Sequence, residues 1–150
     1  MNRATFLRTS LLTIGVTAFA GCAMHGPGGQ HARNHSQRPA VVFQVSDNDP
    51  AKWNLALNNA RNVQADYGAD QVDIEIVAYG PGIHMLKADS VTSNRVAEAA
   101  KAGVNVVACQ NTMDALKLTK TDMQASVGYV PAGVVEIMKR QKEGWSYVRP

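Results

Sequence analysis

The chain of 150 residues predicts an α/β fold in three layers, α/β/α, with helices flanking a mostly parallel five-stranded sheet. Short runs rich in Val and Ile alternate with longer segments whose apolar residues recur at helical spacing. Helix-start signals follow the strand ends, at Asp49-Pro50, Gln110-Asn111-Thr112 and Pro131-Ala132-Gly133. A hydrophobic content of 45% with only 6% aromatics supplies an adequate core for one domain.

That domain spans residues 40–150. Its first strand is Val41 to Ser46. Asp49 as N-cap and Pro50 at the first helical position then open a helix reaching about Tyr67, with Trp53, Ala56, Leu57, Ala60 and Val63 on one face. Gly68 stops it. Val72 to Tyr79 forms a second strand, alternating at first and then continuously apolar. Gly80-Pro81-Gly82 at its carboxyl end serves either a tight turn or a close backbone approach, to a ligand among other things.

Ile83 to Lys87 reads as a short helix. Ser93 to Ala102 reads as another, packing through Val96, Ala97, Ala99 and Ala100 and capped by Gly103. Val104 to Ala108 is a third strand, followed by Cys109 and a helix carrying Met113, Ala115, Leu116 and Leu118. Val127 to Val130 is a fourth strand. The last helix runs through Val134, Val135, Ile137 and Met138 to Gly144, and Trp145 to Val148 closes the sheet. For Trp145 and Tyr147 the core is the expected place. Four loops should gather at one sheet edge, at 46–49, 80–84, 109–112 and 130–133, with Cys109 at their centre.

The first 39 residues are of another kind. Residues 1–22 read as a signal peptide: Arg3 and Arg8 precede an apolar stretch from Leu11 to Ala20 that is too short to span a membrane. Two processing routes fit. Phe19-Ala20-Gly21-Cys22 resembles a lipobox that would lipidate Cys22, with Phe in place of the usual aliphatic residue. Alternatively, Ala18-Phe19-Ala20 is an A-x-A site. The expected location is the periplasm or cell envelope, with any membrane attachment through a lipid on Cys22. Residues 23–39 form a flexible linker in which Gly26, Pro27, Gly28 and Gly29 keep His25, His31 and His35 from a preformed metal site.

Setting residues 1–38 aside, with four basic and no acidic groups, leaves 11 basic against 12 acidic residues. The overall net charge of +3 therefore belongs to the leader and gives no ground for nucleic-acid binding.

Cys109 is the candidate reactive group. It sits between a strand end and a helix start, where free N–H groups favour thiolate over thiol, and the thiolate is the nucleophile. The bland alternative is a buried, inert thiol. As the single cysteine of the domain it closes no disulfide there, and an unlipidated Cys22 is the one candidate partner.

Four segments, VAYGPGI, GVNVVACQNTM, VPAGVVEIMKRQKEGW and the closing YVRP, resemble the DsrE/DsrF-like family, in particular its exported members. The resemblance covers most of residues 40–150. It implies a five-stranded α/β fold, homo-oligomers that are often trimers or hexamers, and a cysteine that carries sulfur as a persulfide. Cys109 occupies the position of that cysteine.

On this basis Cys109 takes sulfane sulfur from a small sulfur species or a partner thiol protein, with Asn111, Thr112 and backbone N–H groups stabilising the anion. Gly80 and Gly82 bring the backbone close, and His84 is a candidate acid or base. A second hypothesis is an oligomeric envelope protein that binds a small anionic or thiol ligand without chemistry. A third, a soft-metal site built from Cys109 with Met113 or His84, has too few ligands per chain. No metal and no cofactor is expected.

Overall fold

A computed structural model of the chain describes residues 38–150. The leader, Cys22 and the three histidines of the linker lie outside the described residues.

Five strands form one sheet: β1 (Ala40–Val45), β2 (Asp73–Ala78), β3 (Asn105–Cys109), β4 (Gly128–Val130) and β5 (Ser146–Val148). Their order is β4-β3-β2-β1-β5, and every neighbouring pair is parallel. The helices are α1 (Pro50–Tyr67), α2 (Ser93–Lys101), α3 (Gln110–Ala115) and α4 (Gly133–Lys142). A 3-10 segment covers Gly80–Leu86.

This order dictates where the helices go. The chain lays β1 to β4 outward in one direction, then returns past β1 to place β5 on the other edge. Crossovers between parallel strands are right-handed, so the return connection must cross the opposite face. The side chains agree. Val41, Phe43, Val45, Ile74, Ile76, Ala78, Val106 and Ala108 face a large core shared with Trp53, Ala56, Leu57 and Ala60 of α1 and Val96 of α2. Strand alternation turns Val42, Val77 and Val107 the other way, where they pack on Ile137 of α4.

The local signals act as read. The Asp49 carboxylate accepts from Ala51 N–H at 2.8 Å, capping α1 with Pro50 in its first turn. The Trp53 indole donates to the Asp47 carbonyl at 2.8 Å, which fixes the exit of β1.

Several expectations are corrected. Gly80-Pro81-Gly82 is the first turn of the 3-10 segment, not a loop before a helix at Ile83. In α2 only Val96 is buried and Ala97 faces out. Trp145 is half-buried against the α4 face, and Tyr147, on the edge strand β5, is exposed. In α4, for which the sequence reading assigned no facing, the inner face is given to Gly133, Glu136 and Ile137, and Val134, Val135 and Met138 point outward.

Gly82 marks a close approach of two backbone segments. A Cβ there would stand 2.2 Å from the Val45 carbonyl oxygen, so the 3-10 segment lies directly on the end of β1. Gly82→Ala should therefore destabilise the domain by about 3 kcal/mol or more, read as a lowered urea midpoint with unchanged slope.

Candidate functional site

Adjacent strands β3 and β4 send their following chain to opposite faces, so the crevice between their carboxyl ends is the topological switch point of the sheet. Cys109, the last residue of β3, pairs with Val130, the last residue of β4, and lies in that crevice. It is 5% exposed. With Asn105 and Val107 it belongs to the strand positions that face α4.

Helix α3 starts at Gln110, earlier than the run from Met113 suggests, so Cys109 itself is the N-cap residue. A helix of six residues carries little macrodipole, so the influence on the sulfur comes from the first-turn N–H groups. The Cys109 side chain makes no capping hydrogen bond, and a neutral thiol is in any case a weak acceptor. The thiolate accepts more strongly, and the surroundings favour it. Burial alone would push the thiol up. The Thr112 hydroxyl and the N–H groups of Gly133, Thr112 and Asn111 outweigh it and hold Cys109 below its ordinary value.

The Thr112 hydroxyl is oriented for this. It accepts from Gly80 N–H at 3.0 Å, which leaves its own hydrogen for the sulfur. Asn111 N–H is shared, since it also donates to the Pro131 carbonyl at 3.1 Å. That bond ties the start of α3 to the chain entering α4.

The predicted residues fall into two groups. Gly80, Thr112 and Asn111 converge on Cys109: Gly80 orients the hydroxyl, and exposed Asn111 offers its backbone rather than its amide. Gly82 does not belong there, because its close approach is to the backbone of β1. His84 is half-buried in the 3-10 segment, and the groups acting on the thiol come from α3 and α4 instead. The loop at 46–49 is likewise apart from the thiol, two strands beyond β3, with Asp47 paired to Lys52 at 3.1 Å and Arg149 at 3.3 Å.

Gly133 is the contributor that sequence reasoning missed as a site residue. Its signal was present in the Pro131-Ala132-Gly133 helix start, but only the fold brings α4 to β3. It lacks a side chain because Tyr79 covers it: a Cβ would lie 2.9 Å from the Tyr79 Cβ. Met113 is fully buried in the α1 and α2 core, and no group of three or more His, Cys, Asp or Glu able to hold a metal occurs among the described residues. A groove of about 740 Å³ lies at the other end of the strands, between Arg38, Tyr67 and Trp145, away from Cys109.

Known proteins share this outline. The profile of the DsrE/DsrF-like family matches residues 39–150. A solved structure of a protein of unknown function from Methanobacterium thermoautotrophicum is 39% identical, with a TM-score of 0.71, over 75% of this chain and 99% of that one. A conserved protein of unknown function from Bacteroides thetaiotaomicron shares the fold at 12% identity, with a TM-score of 0.57, over 74% and 94% of the two chains. No curated protein matches the chain.

A lowered thiol value ties stability to pH. The contribution is present above the ordinary value of 9.0 and is lost as pH falls through the folded value. The stability of the wild type relative to Cys109→Ser should therefore rise with pH across that interval, as seen in urea midpoints under reducing conditions. Thr112→Val removes the hydroxyl and should move the alkylation profile of Cys109 to higher pH.

Proposed function

Because this chain belongs to the DsrE/DsrF-like family, we propose that it is a sulfur carrier that holds sulfane sulfur as a persulfide on Cys109. The observation supporting this reading is a cysteine at the switch point of the sheet, beside a Thr112 hydroxyl that Gly80 N–H orients, with its thiol held below the ordinary value. Those groups favour the thiolate, which is the attacking form.

The step balances without an external oxidant. Cys109 thiolate attacks the terminal sulfur of a persulfide R–S–SH. A new sulfur–sulfur bond forms on Cys109, the bond from that sulfur to R–S breaks, and R–S⁻ leaves with the electron pair. The proton stays on the transferred sulfur. The same N–H groups then stabilise the Cys109 persulfide when it ionises.

The proposal includes export to the cell envelope through residues 1–22, with or without a lipid on Cys22. It also includes assembly of several copies. Val134, Val135 and Met138 are 54%, 58% and 65% exposed on one side of α4, an apolar stripe suited to a subunit contact.

A second reading rests on the 5% exposure of Cys109, which suits an oligomeric protein that binds a small anion or thiol without chemistry. Polysulfide treatment of the mature protein carrying Cys22→Ser, which leaves Cys109 as its single thiol, followed by mass spectrometry, separates the two. The carrier should gain one reducible sulfur, and Cys109→Ser should gain none. Equal uptake by the serine variant, or no uptake by the wild type, would overturn the carrier reading.

A further inference from the structure

Glu75 is fully buried in β2, on the sheet face that also carries Val42, Val77 and Val107. A carboxylate in that setting needs a partner, and Arg140 of α4 supplies it at 2.8 Å, while the Asn105 amide donates to the same oxygen at 2.7 Å. Arg140 also meets Glu136 at 3.0 Å and Glu143 at 3.2 Å, and lies 4.7 Å from the centre of the Trp145 ring. Yet Glu75 Oε1 and Arg140 Nε have no partner among the described residues. An incompletely satisfied buried pair is a poor stabiliser beside an apolar one, and what it offers is a single geometry.

Helix α4 needs such a selector. Its inner face has one large apolar residue, Ile137, whereas Val134, Val135 and Met138 lie on the far side. Apolar burial alone would favour turning that richer stripe toward the sheet. Gly133 and Arg140 are seven positions apart, about two turns and so on the same face. Turning the helix would break the Arg140–Glu75 pair and carry Gly133 off Tyr79 and the thiol together.

We infer that the Glu75–Arg140 pair is a positioning device for the site: it fixes the rotation of α4 on the sheet and thereby keeps the start of that helix, with Gly133 against Tyr79, beside Cys109 at the ends of β3 and β4. Arg140 and Glu75 act through α4 and are positioning residues. The inference rests on the reading that Cys109 is the reacting group.

The test is the pH profile of Cys109 alkylation by iodoacetamide in the full folded domain. Glu75→Leu is the informative variant because field and position oppose each other in it. Removing a negative charge should by itself favour the thiolate, whereas releasing α4 should disfavour it. The expected result is a profile moved to higher pH, with alkylation at neutral pH slowed by about tenfold for every pH unit that its midpoint moves. Arg140→Met should move it the same way and Arg140→Lys should recover part of the loss. A profile at or below that of the wild type in folded Glu75→Leu overturns the inference. Should that variant not fold, Glu75→Leu with Arg140→Met, which buries no charge, is read by the same criterion. Sulfur uptake from polysulfide by the wild type is scored separately, so failure of the carrier reading leaves the profile as its own result.

Discussion

A crossover between parallel strands is right-handed, and this chain must make one long return after laying four strands outward. The return puts α4 on the face that α1 and α2 leave open. It also puts the starts of α3 and α4 on either side of the ends of β3 and β4. The site is a consequence of that routing: a cysteine at the end of β3 lies beside the start of the helix that follows it directly and of α4, which starts only after β4, and N–H groups of both favour its thiolate.

The two groups of N–H donors are secured by different means. Those of α3 are local, because Cys109 is its N-cap and Thr112 lies in its first turn. The Gly80 N–H that holds the Thr112 hydroxyl comes from the 3-10 segment, itself pressed onto β1 at Gly82. The Gly133 donor depends on α4 lying at one rotation, which packing with a single inner isoleucine determines weakly. Burial and polarity are thus in balance at the thiol: desolvation disfavours the charged form, and oriented dipoles more than restore it.

The outer side of α4 presents the opposite problem. Valine and methionine exposed in a row next to the site are unusual for a finished surface, and they lie on the same helix that shapes the thiol's environment. Any contact made there would act on the rotation of α4 and so on Cys109. No helix among the described residues is long and apolar enough to cross a membrane.

The alternation of strands and helices, the α1 cap at Asp49, the inner face of α1 and the placing of Cys109 between a strand end and a helix start were all legible in the order of residues. These features depend on periodicity and on side chains acting within a few residues of themselves, and such signals are local. The turn at Gly82 and the helix start at Gly133 were also marked, but their packing partners were not, because what makes a side chain intolerable there is the carbonyl of Val45 or the ring of Tyr79, each far away in sequence. The outward turn of Val134, Val135 and Met138 ran against their hydrophobicity, since Glu75 claims Arg140 from 65 positions away along the chain. Which face α4 presents to the sheet was settled by folding alone, because a charge buried in another strand makes that choice.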